Sequence, residues 1–136
     1  MTVDLFGLKA VNKTGKFFSN TYWLWGPLWD YVANECSDIL TKKDIYLGQG
    51  NNGHKISRTK ATKIGKRMYE LLITGKTKAY AKSLRRSGLS KLKSPGLDAV
   101  RGVARALGVS GRPQFSVANV KDFADFCVTS GGFEIS

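Results

Sequence analysis

Positive charge is concentrated in one continuous part of this chain. Residues 55–112 carry 16 Lys and Arg against two acids, Glu70 and Asp98, which gives a net charge of +14. The rest of the chain carries 6 Lys and Arg against 8 acids, a net −2. Such a block favours surface-exposed basic helices, and its positive field raises the local concentration of polyanions. The sequence therefore favours nucleic acid as a partner.

Lysine-rich surfaces can also serve solubility alone. Such surfaces usually intersperse positive and negative charges. Because this block is almost entirely of one sign, binding of an anionic partner is the better interpretation.

The length and composition predict one globular domain over residues 1–136. A chain of 136 residues with 42% hydrophobic and 24% charged residues is typical of a folded domain with a single core. No apolar run approaches the roughly 20 residues of a membrane span. The opening MTVDLFGLKA lacks the pattern of a signal peptide. We therefore expect a cytoplasmic protein with no membrane association.

The metal-ligating residues are few. Cys36 and Cys127 lie far apart, and His54 is the single histidine. A zinc site needs about four suitable ligands. We therefore expect no metal and no cofactor, and we expect both cysteines to be reduced and buried.

Residues 55–112 predict a strongly basic helical segment. Ser57 caps a helix over 58–73, and Gly75 is a plausible stop before a second basic helix over about 76–87. In the first helix the apolar residues share one face: Ala61, Ile64, Gly65, Met68, Leu71 and Leu72. The cations expected to contact phosphates lie elsewhere on the two helices: Lys60, Lys63, Lys66, Arg67, Lys78, Lys82, Arg85 and Arg86.

A third amphipathic helix is predicted over 97–107. The string VARALGVS at 103–110 is similar to the first helix and turn of a helix-turn-helix. However, Gly111, Arg112 and Pro113 stand where a recognition helix should begin. Both a helix-turn-helix and an ordinary helix ended by Gly108 remain open.

The two ends of the chain predict a small sheet. Short strands are expected at 3–8, at 16–18 and at 133–135. A helix is expected over 27–40 with Pro27 in its first turn, and another over 117–129 with Ser116 as its cap. The glycine-rich stretch 46–54 predicts a loop. The predicted fold class is α+β and mainly helical, with four to five helices and a small antiparallel sheet.

A ligand pocket is a further hypothesis. Indole rings and amide side chains are what a site for a base or a nucleotide would use. The candidates are Asn20, Trp23, Trp25, Asn51, Asn52 and His54. The alternative is that these aromatic residues belong to the core, as the helical spacing of Leu28 and Trp29 indicates.

The chain shows no catalytic motif. It contains no phosphate-binding loop and no dinucleotide fingerprint. His54 has no identifiable partner in the sequence. We therefore expect a binding protein rather than an enzyme.

Several motifs spread over most of the chain carry a family resemblance: DLFGL at 4–8, Phe17, Asn20, WLWGPLWDYV at 23–32, NNGHKIS at 51–57, FSVANVKDF at 115–123 and SGGFEI at 130–135. In these motifs the chain resembles an uncharacterised family of small bacterial and prophage-carried proteins. The resemblance implies an architecture but no activity. Many such sequences carry a cysteine knuckle where this chain has the cysteine-free residues 89–112. The basic segment is therefore the natural place for a function particular to this chain.

These observations lead to one functional hypothesis and two alternatives. The first is a small, non-enzymatic protein of phage or mobile-element type that contacts nucleic-acid phosphates through a basic helical surface. The second is an inhibitor that docks on a host or defence-system protein, as anti-CRISPR proteins do. The third is a pocket protein that binds a nucleotide signal.

Overall fold

A computed structural model describes residues 2–87 and 113–136. Within these ranges the chain forms four strands and five helices, which confirms a mainly helical α+β fold. In chain order the elements are β1 (Thr2–Gly7), β2 (Phe17–Thr21), α1 (Tyr22–Glu35), α2 (Lys42–Leu47), β3 (His54–Ile56), α3 (Arg58–Ile73), α4 (Lys76–Ser87), α5 (Val117–Ser130) and β4 (Phe133–Ile135).

The four strands form one antiparallel sheet in the order β2-β1-β4-β3. The first and last strands are neighbours at its centre, with Leu5 opposite Ile135 and Gly7 opposite Phe133. Strands from the two chain ends thus pair as expected, and β3 from the middle of the chain adds an edge strand that was not expected.

The sheet has one buried face and one open face. Side chains alternate along each strand, so Val3 and Leu5 point into the core while Phe6 points outward. Helices α1, α3 and α5 pack together on the buried side. Their fully buried residues include Trp25, Met68 and Phe123. Cys36 and Cys127 are buried and unpaired, as predicted.

Helix α1 starts earlier than the sequence predicts. It runs from Tyr22 to Glu35, so it also ends before the predicted residue 40. Pro27 therefore lies inside the helix and not in its first turn. A proline has no N–H to donate to the carbonyl four residues earlier, here that of Trp23. The backbone N–H of Gln114 donates to the Trp23 oxygen at 2.8 Å. A distant segment thus satisfies the carbonyl that Pro27 leaves free.

Two short elements were missed by the sequence analysis. Helix α2 extends into the predicted loop, and strand β3 begins at His54, where that loop was expected to end. Helix α2 is only six residues long, too short for a periodic signal. Strand β3 lies in the middle of the sequence and pairs with β4, which lies near the C-terminus.

The two helices of the basic segment that the structure describes, α3 and α4, lie where the sequence predicts them. Helix α3 spans the predicted residues, and Gly75 follows it with φ +80°, the left-handed conformation of a helix stop. Helix α4 also has its predicted bounds. The predicted helix over 97–107 and the helix-turn-helix string at 103–110 lie outside the described residues. No helix in the described part of the chain has the length and apolar character needed to cross a membrane.

Gly65 sets the close approach of α3 to α5. A Cβ at this position would lie 2.5 Å from Cγ1 of Val128 and 3.2 Å from the carbonyl oxygen of Ala124. Both distances are shorter than van der Waals contact, so a side chain here would push the two helices apart.

We expect Gly65→Ala to lower the free energy of unfolding by about 1–3 kcal/mol, because overpacking outweighs the ~1 kcal/mol that alanine gains in a helix. Urea unfolding monitored by circular dichroism measures the change. Gly50→Ala is the matched control, since a Cβ there meets nothing within 4 Å. Equal stability of the two variants would contradict the close helix contact.

Candidate nucleic-acid interface

Helix α3 presents one buried face and one basic face. The side chain of Ser57 caps it by accepting a hydrogen bond from the N–H of Lys60. Ala61, Ile64 and Met68 are fully buried, as predicted for the apolar face. Lys63 and Lys66 lie on the exposed side.

Two of the predicted phosphate ligands on α3 have protein partners instead. Nζ of Lys60 lies 2.6 Å from Oδ2 of Asp44. The guanidinium of Arg67 donates to both carboxylate oxygens of Asp38, at 3.0 and 2.9 Å, and to the backbone oxygen of Glu35. Lys60 and Arg67 therefore connect α3 to the chain that runs from the end of α1 into α2.

Helix α4 carries a line of exposed cations. Thr77, Ala81 and Leu84 form its buried side, and the Thr77 hydroxyl is hydrogen bonded to the Tyr31 hydroxyl at 3.0 Å. The cations of the exposed side follow i, i+4, i+7 spacing: Lys78, Lys82 and Arg85. Arg86 lies within the helix, but the structure describes its backbone only.

We refer to five cations of α3 and α4 as the cationic helix surface: Lys63, Lys66, Lys78, Lys82 and Arg85. All five are exposed. Among the described residues, no carboxylate forms an ion pair with any of them. Their charge is therefore available to an anionic partner.

The predicted pocket residue Trp25 lies in the core. Its ring stacks on Trp29 with centroids 5.4 Å apart and meets Phe123 edge-on. Its Nε1 donates to the carbonyl oxygen of Gly48 at 2.9 Å, while Nε1 of Trp29 donates to that of Ile45 at 2.9 Å. The two indoles hold the end of α2 against the core, and the rings of Trp25 are not accessible for stacking with a ligand.

The asparagines of the predicted pocket also have protein partners. Asn20 is buried and exchanges two hydrogen bonds with the side-chain amide of Asn119, at 3.0 and 2.9 Å. The Asn51 amide donates to the backbone oxygen of Thr2 at 3.0 Å. Trp23 is half-buried and Asn52 is exposed. Asn20 and Asn51 therefore connect parts of this fold to one another.

His54 has a partner that the sequence analysis missed. Its Nε2 lies 2.7 Å from Oδ1 of Asp44, the carboxylate whose other oxygen meets Lys60. Asp44 is also the N3 residue of a capping box with Thr41, whose backbone N–H donates to Oδ2 at 3.0 Å. The T-x-x-D pattern at 41–44 is the sequence signal that could have indicated this cap.

The Asp44 carboxylate is stabilised in its charged form. Burial alone would raise its pKa, but the hydrogen bonds from Lys60, Thr41 and His54 outweigh burial and hold the pKa well below its ordinary value. A His–Asp pair can orient a general base. Within the described residues, however, no hydroxyl or thiol is hydrogen bonded to His54, and no group of three His, Cys, Asp or Glu side chains could hold a metal ion.

We expect Asp44→Asn to destabilise the fold by about 1–3 kcal/mol at pH 7, because Lys60 and Thr41 lose a charged acceptor. Because the carboxyl pKa of Asp44 is lower in the folded than in the unfolded state, the group stabilises the fold fully above the unfolded value of about 3.9. This contribution is lost progressively as pH falls from that value towards the folded-state pKa. Urea unfolding from pH 6 to pH 2.5 should therefore show a smaller loss of stability in the variant than in the wild type. Asp122→Asn, at an exposed carboxylate, should retain the wild-type pH dependence.

The chain matches no protein-family model, no curated protein and no solved structure. The residues described above are therefore the basis for assigning a function, and the family resemblance stays a prediction.

Proposed function

We propose that this protein is a small, non-enzymatic binding protein of phage or mobile-element type that contacts nucleic-acid phosphates through the cationic helix surface. The observation that carries the proposal is the exposure of five cations on α3 and α4 that form no ion pair with a described carboxylate. A surface of this kind attracts a polyanion over several ångströms before contact.

The cations of α4 are held on a firmly packed helix. Lys78 and Arg85 are seven residues apart, about 10 Å along the axis at 1.5 Å per residue. Behind them the helix packs through Tyr80, whose ring lies 4.6 Å from that of Tyr31 and 4.9 Å from that of Phe115. Burial raises the pKa of Tyr80 to about 12. Because this aromatic cluster fixes the backbone of α4, binding of a ligand would have to order only the cationic side chains.

The ion pairs of Lys60 and Arg67 divide the predicted phosphate ligands into two groups. To bind a phosphate, Lys60 would have to break its ion pair with Asp44, and Arg67 would have to break its ion pair with Asp38. The exposed lysines and Arg85 carry no such cost. We therefore assign binding to the cationic helix surface and a structural role to Lys60 and Arg67.

The expected binding is dominated by charge. Four of the five members are lysines, which act on phosphates as point charges and read no base sequence. Affinity should then fall steeply with salt, because each neutralised phosphate releases counterions.

We expect Lys78→Glu/Lys82→Glu to weaken binding to a fluorescently labelled oligonucleotide by at least about tenfold at 50 mM salt, and to lower the dependence of log Kd on log salt by roughly two. Fluorescence anisotropy over a salt series measures both. The matched control is Lys42→Glu/Lys43→Glu, which changes the net charge equally at exposed positions of α2.

Three outcomes would contradict the proposal. Equal losses in both double variants would mean that net charge alone matters. Unchanged affinity of Lys78→Glu/Lys82→Glu would exclude α4 as the interface. If the wild type binds neither DNA nor RNA at low salt but retains a host protein after nuclease treatment, the inhibitor hypothesis replaces this one.

A further inference from the structure

The open face of the sheet carries two exposed aromatic rings. Phe6 on β1 and Phe17 on β2 are directly opposite each other in the strand register. Their exposed fractions are 45% and 51%, and their ring centroids lie 5.3 Å apart. Leu8 lies two positions beyond Phe6 and is 46% exposed. The hairpin of β1 and β2 therefore presents a contiguous apolar surface to solvent.

The core does not require these rings. Phe18, the neighbour of Phe17, turns inward and packs against Phe123 and Phe126. Phe6 and Phe17 make their ring contact with each other only, within the described residues. Large apolar side chains that remain grouped on the surface of a folded domain commonly mark a binding site.

Phe6 and Phe17 belong to a row of four side chains that crosses all four strands of the sheet. Phe17, Phe6, Glu134 and Lys55 occupy successive paired positions on β2, β1, β4 and β3. The row thus places two π faces next to a carboxylate acceptor and an ammonium donor. Aromatic rings stack with nucleic-acid bases, and charged groups beside them can hydrogen bond to the edges of unpaired bases.

Charge is arranged asymmetrically around the rings. At the turn end of the hairpin the chain carries three exposed lysines, Lys9, Lys13 and Lys16, and none forms an ion pair with a described carboxylate. At the other end Asp4 accepts a hydrogen bond from the hydroxyl of Ser19 at 2.7 Å. The anionic part of a ligand should therefore lie towards the turn.

We propose that this face binds a single-stranded nucleic acid, with unpaired bases stacked on Phe6 and Phe17 and the phosphates directed towards the turn that carries Lys9, Lys13 and Lys16. This inference rests on the proposed function, since it specifies the form of nucleic acid that the protein takes. The cations at the turn complement the phosphates that accompany each base. A duplex keeps its bases stacked inside, so it cannot use the rings in this way.

The test separates base stacking from phosphate contact. Fluorescence anisotropy is measured with four ligands: single-stranded RNA, single-stranded DNA, an abasic strand of equal length and a duplex. The strands are about 12 nucleotides long, which is within the usual range of site sizes for single-strand binding proteins. The wild type should bind the base-bearing strands at least about fivefold more tightly than the abasic strand. Phe6→Ala/Phe17→Ala should remove this preference, leaving the affinity for the abasic strand and for the duplex unchanged.

Two controls keep the test specific. Phe6→Leu/Phe17→Leu retains apolar area without the π face, so it should also lose the preference. Tyr46→Ala removes an exposed aromatic ring elsewhere, on α2, and should keep it. Thermal unfolding by circular dichroism checks that each variant is folded.

The outcomes distinguish the two proposals. Equal binding of base-bearing and abasic strands by the wild type, or a preference that survives in the alanine or leucine variant, overturns the stacking site. In that case salt-dependent binding that weakens in Lys78→Glu/Lys82→Glu still supports the cationic helix surface. If no oligonucleotide binds, both proposals fail.

Discussion

The pairing of the first strand with the last is the contact on which the rest of this fold depends. The N–H of Asp4 donates to the oxygen of Ser136 at 3.0 Å, and the N–H of Ser136 donates to the oxygen of Asp4 at 2.7 Å. Strand β3 pairs with β4 alone, and Phe133 of β4 completes the aromatic cluster with Phe123 and Phe126. Because β1 and β4 lie far apart in the sequence, their pairing requires closure of a long loop, whereas β1 and β2 pair as a local hairpin.

The cations of this protein do two kinds of physical work. Lys60 and Arg67 are paired with carboxylates and fasten α3 to the segment between α1 and β3. The cations of the cationic helix surface stay exposed and form no ion pair with a described carboxylate. The open sheet face adds the exposed rings of Phe6 and Phe17, on the side of the sheet away from the helices. The two proposed surfaces would contact phosphates on the helices and bases on the open face of the sheet.

The sequence predicted the long elements well. The bounds of α3 and α4, the caps at Ser57 and Ser116, and the buried face of α5 all follow from local periodicity and capping residues. The sequence predicted less well those features that depend on contacts between residues far apart in the chain. Pro27 was placed in the first turn of α1 because nothing nearby shows that Gln114 can satisfy Trp23. Trp25 was predicted either to line a pocket or to belong to the core, and its indole lies in the core.

The sequence by itself determined where the charge lies, which helices carry it and which of their faces are buried. These properties depend on residues within about one helical turn of each other. Only the tertiary structure decided which cations remain available, because the partner carboxylates of Lys60 and Arg67 lie 16 and 29 residues away. It likewise decided that Phe18 is buried while Phe6 and Phe17 face solvent. Side-chain alternation separates the two faces of a strand, but only the packing of the helices determines which face they cover.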